Sequence, residues 1–202
     1  MNILTFLDND TLRLIEASSY SNVIKDRNHL IELIQKYDKD TYWIDDQDYS
    51  DKNHVEEIKR NLEQYEVDYK KKYGDPKLWD VSHVTDMSRL FVDCMEIWEG
   101  RIVFDFDLSR WNVSNVTDME SFFNERIVSF DLSKWDVSKV ENMDYMFKEA
   151  QFESNDIMRS LENWNVKNLK YFDSLFYKSN FKGNIYKWNL PNNLYSRIMS
   201  QF

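Results

Sequence analysis

The chain contains few of the residues that interrupt or cross-link a backbone. Its 202 residues include one cysteine, three glycines and two prolines, and alanine occurs only at Ala17 and Ala150. A lone Cys94 excludes an intrachain disulfide and is typical of a reducing compartment. No surrounding motif marks Cys94 as a nucleophile, so we interpret it as a small, packed apolar residue.

Long apolar runs and positive charge are also scarce. The N-terminal apolar stretch ends at Asp8, and no segment approaches the roughly 18 apolar residues of a membrane span. We therefore expect no signal peptide, no membrane span and a cytoplasmic location. The formal net charge of −10 opposes contact with phosphate backbones and argues against direct nucleic-acid binding. An acidic surface favours a basic partner protein or serves only solubility.

Residues 1–75 have the pattern of a small helical region. Apolar residues recur at helical spacing in three segments, at 11–18, 23–37 and 51–74. Asp10 is placed to cap the first helix, and Gly74 followed by Pro76 is a stop signal for the third. The 42% hydrophobic and 16% aromatic content supplies a core and excludes a disordered chain.

From Pro76 onward the sequence repeats. Tryptophans at 79, 111, 135, 164 and 188 lie 32, 24, 29 and 24 residues apart. A 24-residue unit with insertions of 8 and 5 residues, near 95–103 and 153–160, explains these separations. We number the units 1 to 5 and write positions relative to each tryptophan, so that +2 is two residues after it.

Each unit follows the pattern L-x-x-W-x-V-x-x-V-x-x-M-x-x-φ-F, in which φ is Leu, Phe or Met. The W-x-V step has the period of a strand, and V-x-x-M-x-x-φ-F has the period of a helix face. Serines 82, 114 and 138 stand at the N-cap position of that helix, and Ser138 with Glu141 completes a capping box. Such a unit cannot bury its own apolar face, so we expect the units to stack as a solenoid.

The stretches LSRWNVSNVTDMESFF at 108–123 and LSKWDVSKVENMDYMF at 132–147 resemble the tryptophan-bearing surface-protein repeat of mycoplasmas, which is grouped with BspA-like leucine-rich repeats. The resemblance covers about residues 76–190. It implies an α/β repeat fold, a leucine-rich-repeat-like right-handed solenoid of about five short strand–helix units. Members of the family are implicated in adhesion and protein–protein contact, and the repeat carries no enzymatic activity.

The helical pattern of the N-terminal residues and the repeats that follow together predict two parts. Residues 1–75 form a helical N-terminal region, either a cap or a separate interaction module. Residues 76–202 form the solenoid with a C-terminal capping unit. We expect the chain to lack the signal peptide and lipoprotein cysteine of the surface members.

No segment has the pattern of a catalytic or metal site. The segment DQDYSDKNHVEE at 46–57 places oxygen-bearing side chains at several positions of an EF-hand loop, but Asp51 stands where that loop requires glycine. His29, His54 and His83 are not paired at ligand spacing. We therefore expect no catalytic residue, no metal site, no cofactor and no enzymatic activity.

Two functions fit these features. The first is a non-enzymatic protein–protein interaction module, in which the side chains beside each strand's apolar residues form an exposed face. The predicted binding residues are Asp80, Arg110, Asn112, Lys134, Asp136, Asn163, Asn165, Lys187 and Asn189. The alternative is an acidic inhibitor, encoded by a phage or virus and located in the host cytoplasm, that blocks a basic defence or nucleic-acid-binding protein. Affinity that falls steeply with added salt would favour the alternative.

Overall fold

The computed structural model describes residues 23–35, 60, 64, 68–92, 107–188, 190 and 192–200. Regular elements within these ranges are short. They are helical residues at 27–35 and 68–73, a 3-10 helix Pro76–Leu78, strand β1 Ile127–Val128, strand β2 Gln151–Phe152, a helix Asn155–Ser160, a 3-10 helix Tyr186–Trp188 and a helix Asn192–Met199. The predicted helix at 11–18, Cys94, the loop 46–57 and the insertion near 95–103 lie outside the described residues.

Two predicted features of the N-terminal region can be compared with the structure. Within the predicted helix 23–37, residues 27–35 are helical, and Asp26 Oδ1 accepts a hydrogen bond from the His29 N–H at 2.9 Å, as an N-cap does. The predicted stop at Gly74 is confirmed. Helical residues 68–73 end there, Gly74 has a φ of 77°, and its N–H donates to the Lys70 carbonyl at 2.9 Å.

The described N-terminal segments pack against unit 1. Val23 forms a parallel bridge with Asp80, and the Ile24 N–H donates to the Asp80 carbonyl at 2.9 Å. The Tyr69 hydroxyl donates to the buried Leu33 carbonyl at 2.9 Å. The buried N-terminal residues that join the core of the repeats are Ile24, Leu30, Leu33, Ile34 and Tyr69. The helical segments therefore cover the first unit of the stack and share its core.

The apolar positions of the repeat pattern form buried columns that run through the units. The members of these columns are at most 8% exposed. They are Leu108, Leu132, Leu161 and Ile185 at −3; Trp79, Trp111, Trp135, Trp164 and Trp188; Val81, Val113, Val137 and Val166 at +2; Val84, Val116, Val140 and Leu169 at +5; Met87, Met119, Met143 and Phe172 at +8; and Phe91, Phe123, Phe147 and Phe176 at +12. The repeat register read from the tryptophans is thus the register of the core.

The expected strand and helix are not formed within the units. Residues 79–92, 111–126, 135–150 and 164–181 contain turns and isolated bridges, with no strand and no helix. Each turn is closed by a hydrogen bond between residues three apart: the Val84 N–H donates to the Val81 carbonyl at 2.9 Å, and the Leu90 N–H to Met87 at 3.3 Å. Consecutive turns place apolar residues at the same three-residue spacing as a helix face, so the spacing alone does not distinguish the two.

The capping box predicted for unit 3 is also absent, because no helix begins there. The Ser138 N–H donates to the Asp136 carboxylate at 3.0 Å. Glu141 instead accepts a hydrogen bond from the Lys170 ammonium of unit 4 at 2.8 Å. Ser138 therefore forms part of a turn within unit 3, and Glu141 forms a contact between units 3 and 4.

Backbone hydrogen bonds join units 1 to 4 in one parallel ladder. The residues at +7 form successive parallel bridges, which join Asp86, Asp118, Asn142 and Tyr171. The N–H groups at +8, +10, +12 and +14 donate to the next unit. Their donor and acceptor pairs include Met87 with Asp118, Arg89 with Glu120, Phe123 with Met146 and Glu125 with Lys148, at 2.7–2.9 Å. Every second amide therefore finds its partner in the neighbouring unit.

Two positions in the ladder have left-handed backbone, although no glycine stands at either. They are Arg89, Ser121, Tyr145 and Ser174 at +10, and Glu125, Glu149 and Lys178 at +14, with φ between 52° and 60°. Each is the third residue of a four-residue turn, where glycine or asparagine is usual. A left-handed conformation costs an L-residue about 1–2 kcal/mol. The bonds that units make to one another at +10 and +14 oppose this cost.

The tryptophans connect the units through their indole N–H groups. In units 1 to 4, the carbonyl at −3 accepts the backbone N–H of its own tryptophan and the indole N–H of the next unit. The indole bonds join Trp111 to Pro76 at 2.8 Å, Trp135 to Leu108 at 3.0 Å, Trp164 to Leu132 at 3.0 Å and Trp188 to Leu161 at 2.7 Å. Unit 1 has no preceding unit, and the Trp79 indole donates to the Tyr73 carbonyl at 3.0 Å. Both lone pairs of a buried carbonyl at −3 are thereby used.

Aromatic rings stack along the same direction. Trp135 and Trp164 lie 6.4 Å apart between centroids and are nearly parallel, with an interplanar angle of 4°. Phe147 stacks on Phe123 at 5.4 Å and on Phe176 at 5.5 Å. Buried parallel rings in adjacent units bring large apolar areas together and add stacking energy.

The insertion predicted near 153–160 is confirmed as a short helix, Asn155–Ser160, with Ser154 as its N-cap. Before it, β1 and β2 pair in parallel. Asn180 then takes the place of a third strand. Its side-chain amide donates to the Phe152 carbonyl at 2.9 Å, and its oxygen accepts from the Phe152 N–H at 2.7 Å.

We expect Trp135→Phe to destabilise the protein by about 1–2 kcal/mol, because the substitution removes the indole donor and part of the buried ring. Denaturant unfolding measures this change. The control Tyr177→Phe deletes an exposed hydroxyl and should leave stability unchanged. In the wild type, the indole protons of units 2 to 5 should exchange slowly with solvent, and rapid exchange would contradict the buried bonds.

Asn180→Ala should cost about 1–3 kcal/mol, since it leaves a backbone donor and acceptor of the buried Phe152 without their partner. The matched control is Asn163→Ala, whose exposed side-chain oxygen accepts a hydrogen bond from the exposed Lys187. Thermal unfolding measures both variants, and we expect the lower melting temperature for Asn180→Ala. Equal melting temperatures would show that the Asn180 side chain does not replace a strand.

Candidate protein-binding surfaces

The residues predicted to bind a partner stand on either side of the buried tryptophans, and the eight of the nine that the structure describes are exposed. The exposed residues are Arg110, Lys134, Asn163 and Lys187 at −1, and Asp80, Asn112, Asp136 and Asn165 at +1. We call this set the flank face. Asn189 lies outside the described residues. Because the tryptophans are in register, these residues form two polar columns, one on each side of the indole column.

The −1 column carries long cationic or amide side chains. The Lys187 ammonium donates to the Asn163 side-chain oxygen of the preceding unit at 3.1 Å. Within the described part of the chain, the side chains of Arg110 and Lys134 make no hydrogen bond or ion pair. Both cations are therefore available to a carboxylate of a partner protein.

The +1 column has a structural role that sequence reasoning missed. Each side-chain oxygen at +1 accepts a hydrogen bond from the backbone N–H at +3, which is the geometry of an Asx turn. The pairs are Asp80 with Ser82 at 3.0 Å, Asn112 with Ser114 at 3.2 Å, Asp136 with Ser138 at 3.0 Å and Asn165 with Lys167 at 3.3 Å. The turn explains why Asp or Asn stands at +1, because both supply the acceptor oxygen. The choice between them changes only the charge of the surface. The recurring W-[DN]-V-[SK] is the sequence signal for it.

The same turns set the charge state of the two aspartates at +1. Hydrogen bonds from the Ser82 hydroxyl and N–H lower the pKa of Asp80 below its ordinary value. Those from Ser138 lower the pKa of Asp136 in the same way. Both side chains are therefore ionised at neutral pH, and their ionisation favours the folded state.

Two shallow depressions lie on the surface. One of about 280 Å³ on the flank face is lined by Lys77, Leu78, Trp79, Asp80, Arg110 and Asn112, and one of about 400 Å³ is lined by Asp107, Ser109, Ser129, Phe130 and Asp131. Neither lining includes a histidine or cysteine. Among the described residues, no three His, Cys, Asp or Glu side chains are placed to hold a metal ion. No helix in the described ranges has both the length and the apolar character to cross a membrane.

A second polar surface, which the sequence analysis did not identify, lies along the parallel ladder. It consists of the residues at +7 and +9 of units 1 to 4 together with the neighbouring tyrosine at +10 of unit 3. They are Asp86, Ser88, Asp118, Glu120, Asn142, Asp144, Tyr171, Asp173 and Tyr145. We call this set the ladder face. Its sequence signal is D-M-x or N-M-D, which begins two residues after the second valine of units 1 to 3.

Charges on the ladder face influence one another across units. Burial raises the pKa of Asp144, and the negative charge of Asp118 raises it further, while Arg197 lowers it. The Asn142 amide donates to the Asp118 carboxylate at 3.2 Å and so separates two acidic units. At Asp144 the attraction of Arg197 therefore exceeds the repulsion of Asp118, and burial is the main cause of the raised pKa.

Asp136→Ala should destabilise the protein by about 0.5–1 kcal/mol at pH 7 through loss of the Asx turn, whereas Asp136→Asn should retain the turn. Because the folded pKa is depressed, the ionic part of this stability is complete above the ordinary value of 3.8 and is lost as pH falls through the folded pKa. Urea unfolding at pH 7 and pH 3 measures both effects. An alanine variant as stable as the wild type at pH 7 would refute the turn's contribution.

Comparison with known proteins places these repeats in a family. The family model described as "Mycoplasma protein of unknown function, DUF285" matches residues 100–201, which contain units 2 to 5. No curated protein and no solved structure matches the chain. The mycoplasma side of the resemblance is thereby confirmed, and the grouping with BspA-like leucine-rich repeats stays a prediction. Since the matched stretch exceeds half of the 202 residues, the chain belongs to the DUF285 family of Mycoplasma proteins of unknown function.

Proposed function

We propose that the protein is a non-enzymatic protein-binding module, a leucine-rich-repeat-like right-handed solenoid that presents its flank face to another protein. Residues 76–202 form the binding stack, and residues 1–75 serve as its N-terminal helical part. The carrying observation is the contrast between the constant buried tryptophan and its exposed, variable neighbours. At −1 the residue changes from Arg110 to Lys134, Asn163 and Lys187, while the rings between the polar columns keep their register.

The chemistry of the flank face supports recognition of a polar protein surface. Arg110 and Lys134 are exposed cations in adjacent units, and Asp136 follows in the +1 column as a carboxylate. The depression beside Arg110 is lined in part by Trp79, and it is open to solvent and not an enclosed cavity. Such a mixed and nearly flat surface suits a protein partner better than a small substrate.

The double charge reversal Arg110→Glu and Lys134→Glu tests the proposal. Asp136 is left intact because its turn is structural. In affinity capture from a lysate of the source organism, followed by titration of the captured protein, we expect the double variant to bind about tenfold more weakly or worse. Near-ultraviolet circular dichroism of the tryptophan stack verifies that the variant is folded.

The matched control is Arg159→Glu with Lys182→Glu, which makes the same charge change at exposed positions outside the flank face. The control should bind like the wild type. If both double variants bind like the wild type, the flank face is not the binding surface. The N-terminal helices are then the next candidate. The alternative of an acidic inhibitor of a basic host protein stays a prediction, which a steep loss of affinity with salt would favour.

A further inference from the structure

We propose that the part of the partner protein bound by the flank face is an extended segment with a carboxylate at every second residue. The inference rests on the proposed function and deepens it, because it names the chemistry of the partner. Three observations carry it: a column of cationic and amide side chains without an acid, a spacing between units that matches an extended strand, and a depression that joins the two columns of the face.

The −1 column supplies hydrogen-bond donors in four consecutive units. Its members in units 2 to 5 are Arg110, Lys134, Asn163 and Lys187, which are all exposed and include three cations and no carboxylate. The Lys187 ammonium lies 3.1 Å from the Asn163 side-chain oxygen, so side chains of adjacent units in this column come within reach of one group. A carboxylate over the column can therefore accept charge-assisted hydrogen bonds from one unit or from two.

The step from one unit to the next on this side of the stack matches the repeat of an extended chain. The rings of Trp135, Trp164 and Trp188 follow one another at 6.4 and 6.3 Å between centroids. Side chains on one side of a β-strand recur at every second residue, which is roughly 6.4–6.8 Å. The residues at −1 adjoin the tryptophans in sequence. An extended segment laid along the indole column therefore places one side chain of the same side at each unit.

A helical segment matches this spacing less well. A helix advances roughly 5.4 Å per turn and would fall out of register by about 1 Å at every unit. The wide step is also specific to the flank face. Phe147 and Phe176 of units 3 and 4 lie 5.5 Å apart, whereas Trp135 and Trp164 of the same two units lie 6.4 Å apart. The fit to an extended strand therefore belongs to the tryptophan side of the stack.

The depression on the flank face joins the two columns. It has a volume of about 280 Å³ and is lined by Lys77, Leu78, Trp79, Asp80, Arg110 and Asn112. A partner carboxylate seated there meets Arg110 of the −1 column. The next side chain of an extended segment points to the other side, toward the +1 column, where Asp80 and Asp136 are ionised. Those carboxylates repel a second acid, so we expect an uncharged hydroxyl or amide residue between the acidic ones.

Local charge decides this contact, since the chain as a whole is acidic. The net charge of −10 repels an acidic protein at long range. At physiological salt this repulsion is screened beyond roughly 8 Å, whereas the attraction between a carboxylate and a contacting Arg110 or Lys134 is not. An acidic segment therefore binds only where its carboxylates meet the cations one by one. The spacing of the charges, and not their number, determines the affinity.

The test compares two fluorescein-labelled peptides of the same composition, titrated with the full chain and followed by fluorescence anisotropy. One alternates glutamate and threonine over eight residues, and the other has four glutamates followed by four threonines. Their net charges are equal, so general attraction or repulsion affects both alike. We expect the wild type to bind the alternating peptide about threefold or more tightly than the block peptide.

Asn163→Lys tests the register by completing the cationic column with the residue type that units 3 and 5 have at −1. Because a third carboxylate then meets a cation, we expect about threefold tighter binding of the alternating peptide and a smaller change for the block peptide. The matched control is Asn155→Lys, which adds the same charge at an exposed position outside the flank face. It should leave the preference between the peptides unchanged.

The opposite change is Arg110→Asn combined with Lys134→Asn, which introduces the residue type that unit 4 has at −1. It should remove the preference for the alternating peptide. The control, Arg159→Asn combined with Lys182→Asn, removes two exposed cations elsewhere and should retain the preference. Near-ultraviolet circular dichroism verifies that each variant is folded.

Equal affinity of the wild type for the two peptides, or no binding of either, would overturn the proposal. An equal gain from Asn163→Lys and Asn155→Lys would overturn it as well, in favour of general attraction to added positive charge. The proposed function is tested separately, by capture from lysate with Arg110→Glu and Lys134→Glu. Peptides that bind alike while this pair abolishes capture would refute the extended acidic segment and leave the flank face as a binding surface, so the two failures are distinguishable.

Discussion

A buried hydrogen bond from the indole of one unit to the main chain of the preceding unit is the contact on which the stack depends. The Trp135 indole reaches the Leu108 carbonyl, which already accepts the Trp111 N–H, so one oxygen closes its own turn and fixes the position of the next unit. Tryptophan is suited to this task because its large apolar ring carries a single donor. A phenylalanine in its place would fill part of the same space but would not specify which carbonyl lies opposite.

The units are built from turns, although the chain has only three glycines and two prolines, the residues that turns usually contain. Asp and Asn side chains at +1 and +7 accept a hydrogen bond from the backbone N–H two residues later. Asp136 accepts from Ser138 in this way, and Asp118 accepts from Glu120. Left-handed residues such as Tyr145 are held by bonds from the adjacent unit. A single unit has no such neighbour, so its turns depend on the stack, and stability in this fold is a property of adjacent pairs.

These turns also shape the surfaces. A turn that accepts either Asp or Asn allows the charge at +1 or +7 to change while the backbone stays the same. The ladder has Asp118 beside Asn142, and the flank face has Asn112 beside Asp136. The same backbone can thus carry a mixed polar face along the tryptophans and an acidic face along the ladder.

The sequence by itself determined the period, the insertion near 153–160, the stop at Gly74 and the buried columns, because each depends on residue type at a fixed spacing along one chain. It did not distinguish turns from a strand and a helix, since apolar residues three apart occur in both. The Asx turns were hidden for a related reason, because an exposed Asp136 has the same appearance in a sequence whether it binds a partner or its own backbone. Only the tertiary structure decided which polar residues share a surface. Asp118, Asp144 and Asp173 are 26 and 29 residues apart in the chain and become neighbours when the units stack in register.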